Sequence, residues 1–420
     1  MEKTRTYYCI DMKSFFASVE CAERGLDPMV TPLVVADESR GRGALCLAVS
    51  PYMKKLGVKN RCRLFEIPQN IDFLIAKPRM KKYIEYAADI YELYLDFFSP
   101  NDIHVYSIDE CFLDATKYLE TYKTTPKAFA KRLIEEIKTR KGIPATAGIG
   151  TNLYLAKIAL DITAKHTTDG IGYLDEETYK RTLWDHLPLT DFWQIARGTV
   201  KRLKKLRINT MRDVSAAPEA VLYKEFGINA ELLIDHAHGR EPCTIEDIKA
   251  YKRKNTSVSS SQILFSDYDY EKTELVVKEM ILTGCQELLR RKVVATTVGV
   301  FIGYSQDYIP PTGGNLRMSD ATASYRTIVE YALKIFRKTT LKNQPIRRVS
   351  VDFGSVIPEE SAQNSLLFDT EKVEKEKKTE RSVLAIKEKF GKNALLRGMD
   401  LQKGATTVER NKLIGGHNGE

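Results

Sequence analysis

The arrangement that most constrains this chain is Ser107-Ile108-Asp109-Glu110, an acidic pair set between runs of strand-forming side chains. His104-Val105-Tyr106 precedes it and Cys111-Phe112-Leu113 follows it, so β-branched and aromatic residues place the pair where two short strands meet. Thr6-Tyr7-Tyr8-Cys9-Ile10 reads as another strand, with Asp11 at its C-terminal end and a helix-like stretch from Ser14 to Glu23 behind it. If these strands are neighbours in one sheet, three carboxylates converge on one edge, and their mutual repulsion favours recruiting cations. Hard oxygen donors suit Mg²⁺, which takes one or two protein carboxylates and completes its shell with water and substrate phosphates. Taken alone, an Asp-Glu pair at a hairpin tip is more often turn chemistry than catalysis.

Composition sets the outer bounds. At 420 residues, 43% hydrophobic and 29% charged, the chain reads as a soluble protein of two to four domains. It has no run near the roughly 20 apolar residues of a membrane span, and its first residues lack a signal-peptide core, so a cytoplasmic location and no membrane partner are expected. Seven cysteines without a C-x-x-C spacing indicate neither a zinc site nor a disulfide framework. A net charge of +9 is compatible with nucleic acid without establishing it.

Three blocks carry a family resemblance. Ile10-Asp11-Met12-Lys13-Ser14-Phe15-Phe16-Ala17-Ser18-Val19-Glu20, then Ser107-Ile108-Asp109-Glu110-Cys111-Phe112-Leu113-Asp114, then Gly148-Ile149-Gly150-Thr151-Asn152 running through Leu155-Ala156-Lys157-Ile158-Ala159 to Ala164-Lys165, follow one another in order. Together they resemble the Y-family of translesion DNA polymerases, most closely its UmuC-like branch of Gram-positive bacteria. The resemblance implies an α+β multidomain fold, a right-hand polymerase with palm (1–24 and 78–169), fingers (25–77), helical thumb (170–240) and an α/β little finger (241–358), with 359–420 as a C-terminal tail. It implies a DNA-directed DNA polymerase that copies damaged template by two-metal-ion nucleotidyl transfer from dNTPs to a primer 3′-OH, as a monomer, with SOS accessory proteins open as further partners.

The same resemblance distributes roles. Asp11, Asp109 and Glu110 hold two Mg²⁺ ions, with the Met12 backbone carbonyl on the nucleotide-bound one. Ser14, Phe15 and Phe16 begin a helix whose unpaired N–H groups meet the triphosphate. Phe16 aligns with the steric gate that excludes a ribose 2′-hydroxyl, although an aromatic beside an apolar helix is more often core. Lys165 aligns with the lysine that pairs with the triphosphate. In the fingers, where relatives carry a tyrosine and an arginine three residues later, this chain has Pro51 and Lys54, a point charge without arginine's fork.

Along the rest of the chain, Pro32 to Ala36 and Leu45 to Val49 read as strands and Tyr52 to Leu56 as a helix. Helices are also expected over Tyr83 to Phe97 and Ala128 to Lys138. Phe192 to Leu203 with Leu206 to Val214 resembles a helix-hairpin-helix, in which N–H groups at a turn and helix start meet a DNA phosphate, pointing to Arg197, Gly198, Lys201 and Arg202. Arg207 stands where glycine is common, and a solvated basic helix face explains the same residues comparably well. Tyr251 to Ser261 reads as a basic, serine-rich linker, followed by a helix over Glu274 to Arg291, a strand over Val293 to Tyr304, a helix over Ala321 to Lys338 and a strand over Ile346 to Phe353. Gln363-Asn364-Ser365-Leu366-Leu367-Phe368 resembles a peptide that docks on the bacterial sliding clamp (beta), Gln363 hydrogen-bonding and Leu366, Leu367 and Phe368 filling an apolar pocket; packing back on the little finger is the alternative. Two other functional readings compete. A nucleotide cyclase leaves the helix-hairpin-helix and the last domain unexplained, and a non-catalytic DNA-binding relative leaves the three carboxylates unexplained.

Overall fold

The computed structural model describes residues 4–252, 257–362 and 370–419. The chain forms two compact units, one ending at Tyr251 and one running from Lys252 to Gly419.

The elements that build the site, all in the first unit, are in chain order β1 (Tyr7–Met12), α1 (Phe15–Ala22), β2 (Leu33–Val35), β3 (Ala48–Val49), α2 (Pro51–Lys55), β4 (Leu74–Ala76), α3 (Met80–Leu95), β5 (Ile103–Val105), β6 (Glu110–Asp114), α4 (Pro126–Lys141), β7 (Ala145–Gly150), α5 (Leu153–Ile158) and β8 (Ile171–Leu174). β1 lies at the centre of a five-stranded sheet of order β5-β6-β1-β7-β8, antiparallel to both neighbours. Its side chains alternate between two cores, as a strand's period of two demands. Tyr8, Ile10 and Met12 pack with Tyr83, Leu93 and Tyr94 of α3 and Phe129 and Leu133 of α4, whereas Tyr7 and Cys9 face Phe112, Leu153, Ala156 and Leu160. This two-sided burial is why the strand is apolar throughout until Asp11.

The Gly148-Ile149-Gly150 block is a packing device. A Cβ on Gly148 falls 2.0 Å from the Ala156 carbonyl oxygen, and one on Gly150 falls 2.1 Å from the Ala156 nitrogen, so only glycine lets α5 lie directly on β7. Asn152 caps α5, its side-chain oxygen accepting from the Leu155 N–H at 2.8 Å. A single wide π turn, Ala159–Thr163, then carries the chain towards Lys165.

Residues 33–76 form a small sheet of order β3-β2-β4 beside α2, whose first turn is set by Pro51 and by Ser50 accepting from the Met53 N–H at 3.2 Å. The strand expected from Leu45 shortens to Ala48–Val49 because Leu45 is drawn into a bridge with Arg63. β4 has no sequence signature, being three residues long.

Towards its end the first unit holds α6 (Arg197–Lys205), α7 (Met211–Ala216) and α8 (Ile245–Ala250). Arg207 adopts φ of 60°, so the turn between α6 and α7 keeps the left-handed conformation for which glycine is the usual residue. Since α8 belongs to this unit, the division expected at residue 240 lies instead at Tyr251.

The second unit opens with β9 (Val258–Tyr268), followed by α9 (Tyr270–Arg290), β10 (Val293–Tyr304), β11 (Thr312–Thr322), α10 (Tyr325–Thr339) and β12 (Ile346–Gly354). Its antiparallel sheet, order β11-β10-β12-β9, buries Val298, Val300, Ile302, Val349 and Val351 with Val277, Ile281, Ile328 and Phe336 of α9 and α10. Two expectations are corrected here. Val258 to Ser261, taken for linker, starts β9, and Ala321 to Ser324 precede α10 rather than open it, because Ser324 is its N-cap and accepts from the Thr327 N–H.

A third correction concerns the C-terminal tail. Residues 370–419 are folded onto the second unit, beginning with α11 (Thr370–Phe390), which packs on α9. Glu380 is buried and accepts from Gln286 at 3.0 Å, and Arg397 pairs with it. Glu279, 1% exposed, accepts from the N–H groups of Thr406 and Thr407 and from the Thr406 hydroxyl, at 2.8 to 3.1 Å. The buried carboxylates Glu279 and Glu380 are thus the fastening of this segment.

Candidate active site

The site grows from the β1–β6 pairing, in which Asp11 stands directly opposite Glu110 and the Met12 N–H donates to the Asp109 carbonyl at 3.0 Å. Three carboxylates from residues about a hundred positions apart therefore share one end of two adjacent strands. The Asp11 carboxyl is pushed up to about 7, first by burial and then by Asp109 and Glu110, with Lys157 opposing.

The other two carboxylates are already engaged. Asp109 accepts from the Ser107 hydroxyl at 2.6 Å. Glu110 Oε1 lies 2.7 Å from Lys157 Nζ and accepts from the Cys9 thiol at 3.0 Å. Lys157 is 8% exposed and reaches Asp161 as well, at 2.9 Å. Burial works against its charge, but Cys9, Glu110 and Asp161 outweigh it and hold its amine above the ordinary lysine range. With Glu110 turned onto Lys157 and Asp109 onto Ser107, no three acidic, thiol or imidazole groups among the described residues stand ready as a metal cage.

Beside Asp11 opens a cavity of about 380 Å³ whose walls include Lys13, Ser14, Lys54, Lys55 and Lys165. Its lysines crowd one another. Lys54 is held below the usual lysine value by burial and by Lys165 and Lys13, with Asp11 and Asp109 opposing, and Lys13 is lowered by burial and by Lys55. Ser14 sits at φ 49°, and its hydroxyl is shielded from solvent without a hydrogen-bond partner among the described residues. A concave, cation-rich site with a spare hydroxyl fits a polyanion such as a phosphate chain. A roomier hollow of about 1100 Å³, at the other end of β1, is lined by Asp102, Asp114, Asp175, Glu177 and Glu241 among others, the wrong sign for phosphate.

The structure thus brings Asp11, Ser14, Lys54 and Lys165 together around one cavity. Glu110 stands opposite Asp11 in the strand pairing, but Asp109 and Glu110 line a separate hollow with Met12, Tyr91 and Tyr94. Phe15 is core at 2% exposure. Phe16 is half-buried and does not line the cavity; its ring stacks on Tyr83, centroids 4.4 Å apart and planes at 15°. Lys13, Lys55 and Lys157 were missed by sequence reasoning, although Lys13 and Lys157 fall inside the matching blocks. Arg197, Gly198 and Lys201 are exposed at the start of α6, whereas Arg202 is tied to Glu225 at 2.8 Å and lies over the Phe226 ring at 4.3 Å. Gln363, Leu366, Leu367 and Phe368 lie outside the described residues.

A carboxylate-tipped central sheet strand beside a lysine-lined cavity has the charge to receive a phosphate-bearing substrate. Residues 10–161 match the impB/mucB/samB family and residues 255–366 match the impB/mucB/samB family C-terminal domain. UvrX of Bacillus subtilis, which carries the name of a UV-damage repair protein, is 33% identical, the alignment covering 97% of this chain and 96% of that one. DNA polymerase IV 2 of the same organism is 31% identical over 99% of this chain and all of its own. In fold, a solved Y-family DNA polymerase chimera superposes with a TM-score of 0.64 at 19% identity, covering 84% of this chain and 99% of its own. The chain belongs to the impB/mucB/samB family, the UmuC-like group of Y-family DNA polymerases.

Proposed function

We infer that the protein is a template-directed DNA polymerase that copies damaged DNA, extending a primer 3′-OH with dNTPs. The observation that carries this reading is that Asp11, paired opposite Glu110 across β1 and β6, lines a cavity together with four lysines. The donor set fits Mg²⁺, being all oxygen, and the upward push on Asp11 comes first from burial and then from Asp109 and Glu110, whose repulsion a divalent cation relieves. Two such ions, held by Asp11, Asp109, Glu110 and the Met12 carbonyl, would activate the primer oxygen and neutralise charge on the triphosphate.

The chain's own residues supply binding and selection. Lys13, Lys54, Lys55 and Lys165 hold the triphosphate, compensating for the missing arginine fork, while the Ser14 hydroxyl and the N–H groups of Ser14, Phe15 and Phe16 cap its oxygens. Phe16, braced on Tyr83, excludes the ribose 2′-hydroxyl. Residues 1–24 and 78–169 serve as palm, 25–77 as fingers, the region from 170 to Tyr251 as thumb, and the second unit as little finger. Arg197, Gly198 and Lys201 meet the backbone of primer-template DNA, with Arg202 bracing its own helix. No helix among the described residues is long and apolar enough to cross a membrane, which suits an enzyme working on DNA in the cytoplasm.

Primer extension by the purified protein tests the reading. Asp109→Ala and Glu110→Ala are expected to abolish incorporation and leave primer-template affinity largely intact, because that affinity resides in basic contacts to phosphates. Near-normal extension by either variant removes the assignment. Docking on the sliding clamp through Gln363, Leu366, Leu367 and Phe368 rests on the peptide's pattern, a few apolar anchors behind a polar residue. Replacing Leu366, Leu367 and Phe368 with alanine is expected to eliminate clamp binding in fluorescence anisotropy while sparing extension on short primers; unchanged affinity reassigns the segment to structure.

A further inference from the structure

Glu110 reaches this site already holding a cation. Its Oε1 is 2.7 Å from Lys157 Nζ and accepts from the Cys9 thiol at 3.0 Å, so one of its two carboxylate oxygens is engaged and its charge is already neutralised before a metal arrives. Lys157 cannot drift to solvent: it is 8% exposed, on a helix pressed against β7 at Gly148 and Gly150. It does have a second anion, Asp161 at 2.9 Å, whose side chain is 32% exposed against 11% for Glu110.

We propose that Lys157 is a displaceable counter-cation, which neutralises Glu110 in the metal-free protein and retires onto Asp161 when a divalent ion takes Glu110. Breaking a buried ion pair is costly when one charge is left bare. Here neither is, since the arriving ion replaces Lys157 at Glu110 while Asp161 keeps Lys157 paired. Lys157 and the metal then compete for one carboxylate, and by linkage the lysine weakens metal binding by the strength of its own pair. Lys157 is thus a positioning residue that sets the divalent-ion concentration at which the Glu110 site fills. The inference rests on the reading of Asp11, Asp109 and Glu110 as metal ligands.

The test is Mn²⁺ binding to the full chain without DNA or nucleotide, followed by electron paramagnetic resonance. Lys157→Met, which keeps the stem and removes the charge, is expected to bind Mn²⁺ about tenfold more tightly, and Lys157→Arg no more tightly than the unaltered protein. In a Glu110→Gln background Lys157→Met is expected to bring no gain. If Lys157→Met is unfolded in EDTA, addition of Mn²⁺ restores its near-ultraviolet circular dichroism, the same competition read through folding. Affinity equal to or below that of the unaltered protein, a gain that persists with Glu110→Gln, or an unfolded variant that Mn²⁺ does not restore overturns the proposal. Glu110→Gln binding Mn²⁺ as tightly as the unaltered protein instead removes the metal-ligand reading, and the inference with it.

Discussion

Replacing Asp11 with asparagine is expected to stabilise the metal-free protein while destroying its activity. The Asp11 carboxyl rises from an ordinary 3.8 to about 7 on folding, through burial and through Asp109 and Glu110. A shift of roughly three pH units at about 1.4 kcal/mol per unit sets an upper bound of about 4 kcal/mol. The folded state holds the extra proton between those two values, so the stability Asp11 contributes is intact below pH 3.8 and is lost as pH rises through 7. The asparagine of the variant has no such proton to lose. The stability gap between Asp11→Asn and the unaltered protein should therefore open from near zero at about pH 4 to about 2 to 4 kcal/mol at about pH 8, or roughly 1 to 2 M in urea midpoint. Tryptophan fluorescence is the fitting readout, because the chain's two tryptophans, Trp184 and Trp193, both lie in the first unit. Titrations are run in EDTA. A gap that does not change with pH, or a variant weaker than the unaltered protein at the alkaline end, refutes the account of Asp11 as a crowded, desolvated carboxylate.

Phe16→Ala should raise the ratio of ribonucleotide to deoxynucleotide kcat/KM by about tenfold or more while costing normal incorporation moderately; an unchanged ratio makes the Phe16–Tyr83 stack a packing contact only. In the second unit, Glu279→Ala leaves the Thr406 and Thr407 donors without their buried acceptor, a loss of about 3 kcal/mol. Limited proteolysis should then cut between residues 391 and 405, and resistance equal to that of the unaltered protein means the segment is held by other contacts.

Much of the site was legible in the chain because the signals are local. Asp11, Asp109 and Glu110 end or begin runs of strand formers, and a strand's alternation is written in its own residues. Val293–Tyr304 was read with the observed bounds for the same reason. Elements with weaker local signals were lost. The serines opening β9 read as linker, since nothing within Val258–Ser261 announces that β12 lies alongside it. The turn at Arg207 keeps a left-handed backbone without the glycine that normally marks one.

The sequence by itself determined which groups are available for chemistry and where the central strands end. Tertiary structure decided which cations meet those groups. Lys13 and Lys55 share a cavity wall although they are far apart in the chain, and Lys157 crosses from its helix to Glu110. Glu279 and Thr406 meet from distant parts of the second unit's sequence. A lysine or glutamate has the same long, polar side chain whether it is solvated or buried against a partner, so its pairing leaves no periodic trace in the chain and exists only once the backbone has brought the two charges within reach.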